Sequence, residues 1–78
     1  MAELPTPPAT DPLATLVPRE REITELVRQG RLNKQIAAST GLTEGTVKEY
    51  MIRIFQKTGA GNRTELAVMA QRQQMAQS

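Results

Sequence analysis

Seventy-eight residues with a net charge of +2 accommodate one small domain with short tails. Only 38% of the residues are apolar, and Tyr50 and Phe55 are the sole aromatics, so the core must be aliphatic; helices suit it because they satisfy their own backbone hydrogen bonds. The absence of cysteine and histidine removes disulfides, thiolate zinc sites, the usual general base and the Ser-His-Asp triad, so no enzyme, metal site or bound cofactor is expected.

The chain opens with Met1-Ala2-Glu3-Leu4-Pro5, which lacks the basic region and apolar stretch of a secretory signal. No run of about 18 apolar residues follows, so a cytoplasmic protein with no membrane contact is expected. Pro5, Pro7, Pro8 and Pro12 make residues 1–14 a Pro/Thr/Ala-rich leader without periodicity, expected to be disordered. The ordered domain is expected over 15–72, starting near Leu16.

Pro18 suits the first position of a helix, Glu20 its first turn, and Gly30 the stop after it. Ile23, Leu26 and Val27 form its apolar face, which predicts a first helix over about 18–29. Asn33 is the expected N-cap of a short second helix, Lys34 to Thr40, with Leu32, Ile36 and Ala37 on its buried side. Gly41 breaks that helix, Leu42 follows as an apolar plug, and Thr43 caps a third helix from Glu44 to about Thr58. Val47, Met51, Ile54, Phe55 and Thr58 share one face of it, with Tyr50 at the edge; Gly45, Lys48, Glu49, Ile52, Arg53 and Gln56 share the other. Asn62-Arg63-Thr64-Glu65 is an N-cap followed by Glu three residues later, so a fourth helix begins there. Leu66, Met69 and Ala70 should face the core, and residues 73–78 should fray. The fold class is all-α, a four-helix bundle.

The second and third helices carry the strongest signal. A helix-turn-helix needs a small residue where the helices cross closely, a glycine in the turn, and apolar residues on either side to join the pair. Ala37 is the small residue, Gly41 follows four later, and Ile36, Leu42, Val47 and Tyr50 occupy the packing positions. Charge points the same way. Between Arg28 and Arg63 lie seven basic residues and two acidic ones, an excess of five positive charges, while Glu3, Asp11, Glu20, Glu22 and Glu25 precede that segment. A small helical domain with a basic middle favours a polyanion as partner.

Four blocks also look familiar: Leu16-Val17-Pro18-Arg19-Glu20-Arg21-Glu22, Asn33-Lys34-Gln35-Ile36-Ala37, Leu42-Thr43-Glu44-Gly45-Thr46-Val47-Lys48 and Asn62-Arg63-Thr64-Glu65-Leu66-Ala67. In that order they resemble the LuxR/GerE family of helix-turn-helix domains, over about Leu16 to Ala70. The resemblance implies a bacterial transcription regulator whose third helix enters the major groove of double-stranded DNA and whose fourth helix forms a homodimer contact. The chain departs from the family pattern at Val17, where Thr or Ser usually caps the helix, and at Glu49, Tyr50, Ile52 and Thr58.

Affinity for DNA comes mainly from phosphate neutralisation and sequence choice from side chains that reach base edges. Lys48, in the first half of the recognition helix, suits guanine O6/N7 or a phosphate. Glu49 beside it is tolerated near phosphates only if it accepts a hydrogen bond from cytosine N4 or pairs with Lys48 or Arg53. Ile52 suits a thymine methyl. Asn33, Lys34, Arg53, Lys57 and Arg63 read as phosphate contacts, Thr43 and Thr46 as hydroxyl contacts, with capping the simpler role for Thr43. Arg19 and Arg21 interleave with Glu20 and Glu22, as in a solvated or internally paired face.

On the fourth helix Val68, Arg72 and Met75 lie away from Leu66 and form an expected dimer surface, which would read an inverted repeat. Two other readings compete: a protein-interaction module that pairs with full-length regulators through the fourth helix, and a promoter-recognition piece like sigma-factor region four. Without a sensor or receiver domain and with no small-molecule ligand evident, the chain reads either as a stand-alone regulator or as the effector part of a longer one.

Overall fold

The computed structural model describes residues 13–77, with the side chains of residues 13–75. Four helices follow in order: α1 (Pro18–Arg28), α2 (Asn33–Thr40), α3 (Glu44–Thr58) and α4 (Arg63–Gln77). No strand occurs among the described residues. The first twelve residues of the expected leader lie outside them. Leu13, assigned to that leader by composition, is buried beside Leu16, so the packed chain begins earlier than its prolines suggested. At the other end, α4 extends to Gln77.

The core is aliphatic. Ile23 and Val27 of α1 meet Ile36 and Ala37 of α2, Val47, Met51 and Ile54 of α3, and Leu66 and Ala70 of α4. Each fully buried large aliphatic side chain stabilises the fold by about 1.5–3 kcal/mol. α4 packs chiefly on α1, while α3 packs on both α2 and α1. Ala60, in the loop before α4, is also buried, and no periodicity marks it.

The caps show how sequence sets the corners. Thr43 caps α3 as expected, its Oγ1 accepting from the Thr46 N–H at 3.1 Å. Asn62 caps α4, with Oδ1 accepting from the Glu65 N–H at 2.8 Å. The expectation for α2 needs correction: Leu32 is the capping residue and Asn33 is already helical. Leucine has no side-chain acceptor, and Gln35 compensates by accepting from the Leu32 N–H at 2.9 Å. α1 uses the same device, since Glu20 Oε1 accepts from the Val17 N–H at 3.0 Å where the Val17 side chain can accept nothing.

Gly41 ends α2 at φ +77°, a left-handed conformation that costs other residues about 1–2 kcal/mol. Its N–H and that of Leu42 both donate to the Ala37 carbonyl, which closes the helix and turns the chain into α3. Thr58 at the end of α3 is buried, and its hydroxyl is satisfied: it donates to the Ile54 carbonyl at 2.8 Å and accepts from the Ala60 N–H at 3.2 Å.

Candidate nucleic-acid interface

The turn at Gly41 sets α3 across α2, with Val47, Met51, Ile54 and Thr58 facing inward. Its outer face is then fixed by the 100° step between residues. Gly45, Lys48, Glu49, Ile52, Arg53 and Gln56 are all exposed there. Thr43 is exposed and Thr46 half-buried at the start of the helix, where each Thr46 and Thr43 hydroxyl lies 3.0 Å from the other. Lys34 is exposed on the first turn of α2.

Two flanks border this face. On one side Asn33, Lys48, Ile52 and Arg63 line an open groove of about 440 Å³ together with Met51, Phe55 and Asn62. Its floor is apolar and its rim carries two cations. Arg63 is fastened across it: Nη1 donates to Asn33 Oδ1 at 2.8 Å and Nη2 to the Arg31 carbonyl. This ties the start of α4 to the start of α2. Four residues that the sequence proposed as DNA contacts, from three different helices, are thus brought together here.

On the other side Arg53 stacks over the Tyr50 ring, its guanidinium carbon 5.4 Å from the ring centroid. Such stacking holds a long side chain in one orientation. Lys57 is drawn inward: its ammonium donates to Glu20 Oε1 at 2.8 Å, and the Glu20 side chain is 2% exposed. Burial pushes the Glu20 carboxyl up. The Lys57 hydrogen bond, the Val17 N–H and the charges of Lys57 and Arg53 outweigh it and hold the group below its ordinary value of 4.5. The sequence presents Glu20 as a first-turn acid and Lys57 as a phosphate contact; their pairing across 37 positions has no local signal.

Arg19 and Arg21 work inside the molecule. Arg19 bonds Glu22 at 3.2 Å and the Thr40 carbonyl at 3.3 Å, joining α1 to the end of α2, and Arg21 Nε donates to the Leu16 carbonyl at 3.2 Å. On α4, Val68 is 44% and Met75 64% exposed, with Arg72 exposed between them, and this stripe faces away from buried Leu66 and Ala70. Among the described residues no group of acidic side chains is arranged to hold a metal ion, and no helix is long and apolar enough to cross a membrane.

A short helix and a glycine turn set a longer helix with an exposed polar face, which defines a helix-turn-helix domain. Residues 14–70 match the family of bacterial regulatory proteins called the luxR family, or GerE, and the chain belongs to it: an all-α domain of a family of DNA-binding transcription regulators. Among its relatives, the response regulator Rre1 of Synechocystis is 45% identical over 53 residues, 68% of this chain and 23% of the relative. The DNA-binding transcriptional activator DevR/DosR of Mycobacterium tuberculosis is 45% identical over 60 residues, 77% of this chain and 28% of the relative. The two-component response regulator PprB of Pseudomonas aeruginosa is 37% identical over 68 residues, 87% and 25% of the two chains. The chain therefore spans about a quarter of the length of the relatives it matches. No solved structure matches it.

Proposed function

We propose that this protein regulates transcription by binding double-stranded DNA at chosen sequences, with α3 in the major groove, and that it acts in the bacterial cytoplasm without catalysis. The observation that carries this reading is the solvent-facing side of α3, held by the Gly41 turn and bordered on both sides by cations. A helix presented in this way fits a groove about 12 Å wide. Lys48, Glu49 and Ile52 are the side chains that reach base edges. Lys34, Asn33, Arg53, Thr43 and Thr46 contact phosphates beside them. Lys57 and Arg63 contribute positive charge to the same backbone while keeping their internal partners.

A second copy binds through Val68, Arg72 and Met75 of α4. The resulting two-fold dimer places two α3 helices on successive turns of the duplex, so its operator is an inverted repeat.

Fluorescence anisotropy of a labelled duplex pool, titrated across salt concentrations, tests the DNA reading. A decline of log K with log salt corresponding to about 4–8 phosphates, with weaker binding by Lys48→Ala and Arg53→Ala, is the expected outcome. Absence of salt-dependent binding at low salt would refute it and direct attention to protein partners of α4.

A further inference from the structure

Glu49 is an anomaly on the face that meets a polyanion. A carboxylate there is repelled by phosphates on either side, and two internal cations lie near enough in sequence to neutralise it. The structure employs neither. Arg53 stacks on Tyr50, and no hydrogen bond or ion pair holds the Glu49 carboxylate among the described residues. Lys48 is the preceding residue, rotated 100° toward the groove that it lines with Asn33 and Arg63. Neighbours one apart on a helix do not face each other. The acid is therefore exposed and uncompensated.

We infer that Glu49 is the specificity-determining residue of α3, selecting a cytosine by accepting a hydrogen bond from its N4 amino group and rejecting base edges that present only acceptors. This rests on the proposed DNA-binding function and deepens it. In the major groove guanine offers N7 and O6 and thymine offers O4, all acceptors, which leave a carboxylate without a donor and add repulsion to that of the phosphates. Cytosine offers the N4 donor alone. Adenine offers a donor beside an acceptor, which suits a carboxylate less well than an amide. Ile52, three residues on, is also exposed and shares the outer face of α3. On binding, a carboxylate that displaces its water without meeting a donor bears that desolvation cost without compensation. Selection then comes as much from rejection of wrong bases as from attraction to the right one.

The full chain is first used to select binding duplexes from a random pool. Its affinity, and that of Glu49→Ala and Glu49→Gln, is then measured for the selected duplex, for its three base-pair variants at each position, and for random duplex. The expected wild-type result is one half-site position where replacing C·G weakens binding about tenfold or more. Glu49→Ala loses that discrimination and binds random duplex roughly threefold to fivefold more tightly at low salt, because a repelled charge is gone. Glu49→Gln moves the preference at that position from C·G to A·T, since an amide pairs with adenine N6 and N7. An acid that met no base would still raise affinity for random duplex when removed, but its loss would leave the base preference at every position unchanged. If wild type and Glu49→Ala select the same sequences with the same discrimination, or if Glu49→Ala fails to gain affinity for random duplex, the inference is overturned and the DNA-binding function stands. If wild type shows no salt-dependent binding, both fall together.

Discussion

Glu20 shows how one buried charge is tolerated. Its carboxylate accepts from the Val17 N–H and from Lys57, so it compensates for a missing N-cap side chain and joins the start of α1 to the end of α3. Because the fold holds Glu20 below its ordinary value of 4.5, the pair contributes fully above that pH, and the contribution is lost as pH falls through the lower folded value. Thermal melts should therefore show Tm dropping below about pH 4.5, and Glu20→Gln should flatten that decline while lowering Tm near neutrality. Lys57→Met leaves Glu20 buried without its cation. It should cost about 2 kcal/mol in denaturant unfolding, less than the ~3–5 kcal/mol of a fully buried pair, because the Lys57 side chain is 35% exposed. Thr24 presents the opposite case. Its hydroxyl is buried with no hydrogen-bond partner among the described residues, so Thr24→Val keeps the shape and should raise stability by about 1 kcal/mol.

At the scale of elements, the corner between α2 and α3 depends on backbone conformation rather than on space. A Cβ at Gly41 would meet nothing within 4 Å, yet φ is +77°. Gly41→Ala should thus cost about 1–2 kcal/mol through strain alone, and Gly41→Asn less, with circular dichroism unchanged in shape. The N-cap of α3 is a separate test. Thr43→Ala removes the acceptor for the Thr46 N–H and should cost about 1 kcal/mol, whether or not Thr43 also meets phosphate. These elements were legible because their signals are local. Pro18, Gly41, Thr43 and Asn62 each act within four residues of where they stand, and the apolar face of α3 repeats every helical turn. Asn33 has the chemistry of a cap, but Gln35 supplies the acceptor for the Leu32 N–H and the helix begins one residue earlier.

For the whole molecule, α4 carries both part of the core and the surface proposed for dimerisation. Leu66 and Ala70 are spent on the core against α1, and Arg28 donates to Gln71 Oε1 at 3.0 Å across that packing. The stripe of Val68, Arg72 and Met75 is left outward. If α4 forms the dimer, Val68→Glu should yield a monomer in sedimentation equilibrium with the domain still folded. Its affinity for a two-half-site duplex should fall far more than for a single half-site, because the link between the two recognition helices is lost.

Composition and periodicity alone were sufficient for an all-α helix-turn-helix chain without thiol or imidazole chemistry, and for the outward face of α3. Those properties arise from residue type and from spacings within one or two helical turns, which a linear sequence carries directly. Tertiary structure alone decided which cations remain available at that face. Lys57, Arg53 and Arg63 look equivalent in sequence, yet they end against Glu20, on Tyr50 and across to Asn33. It also decided that Leu13 belongs to the core and that Glu49 has no ion-pair partner among the described residues. Such outcomes depend on which distant side chains the helix crossings bring within hydrogen-bonding reach, and no spacing along the chain encodes that.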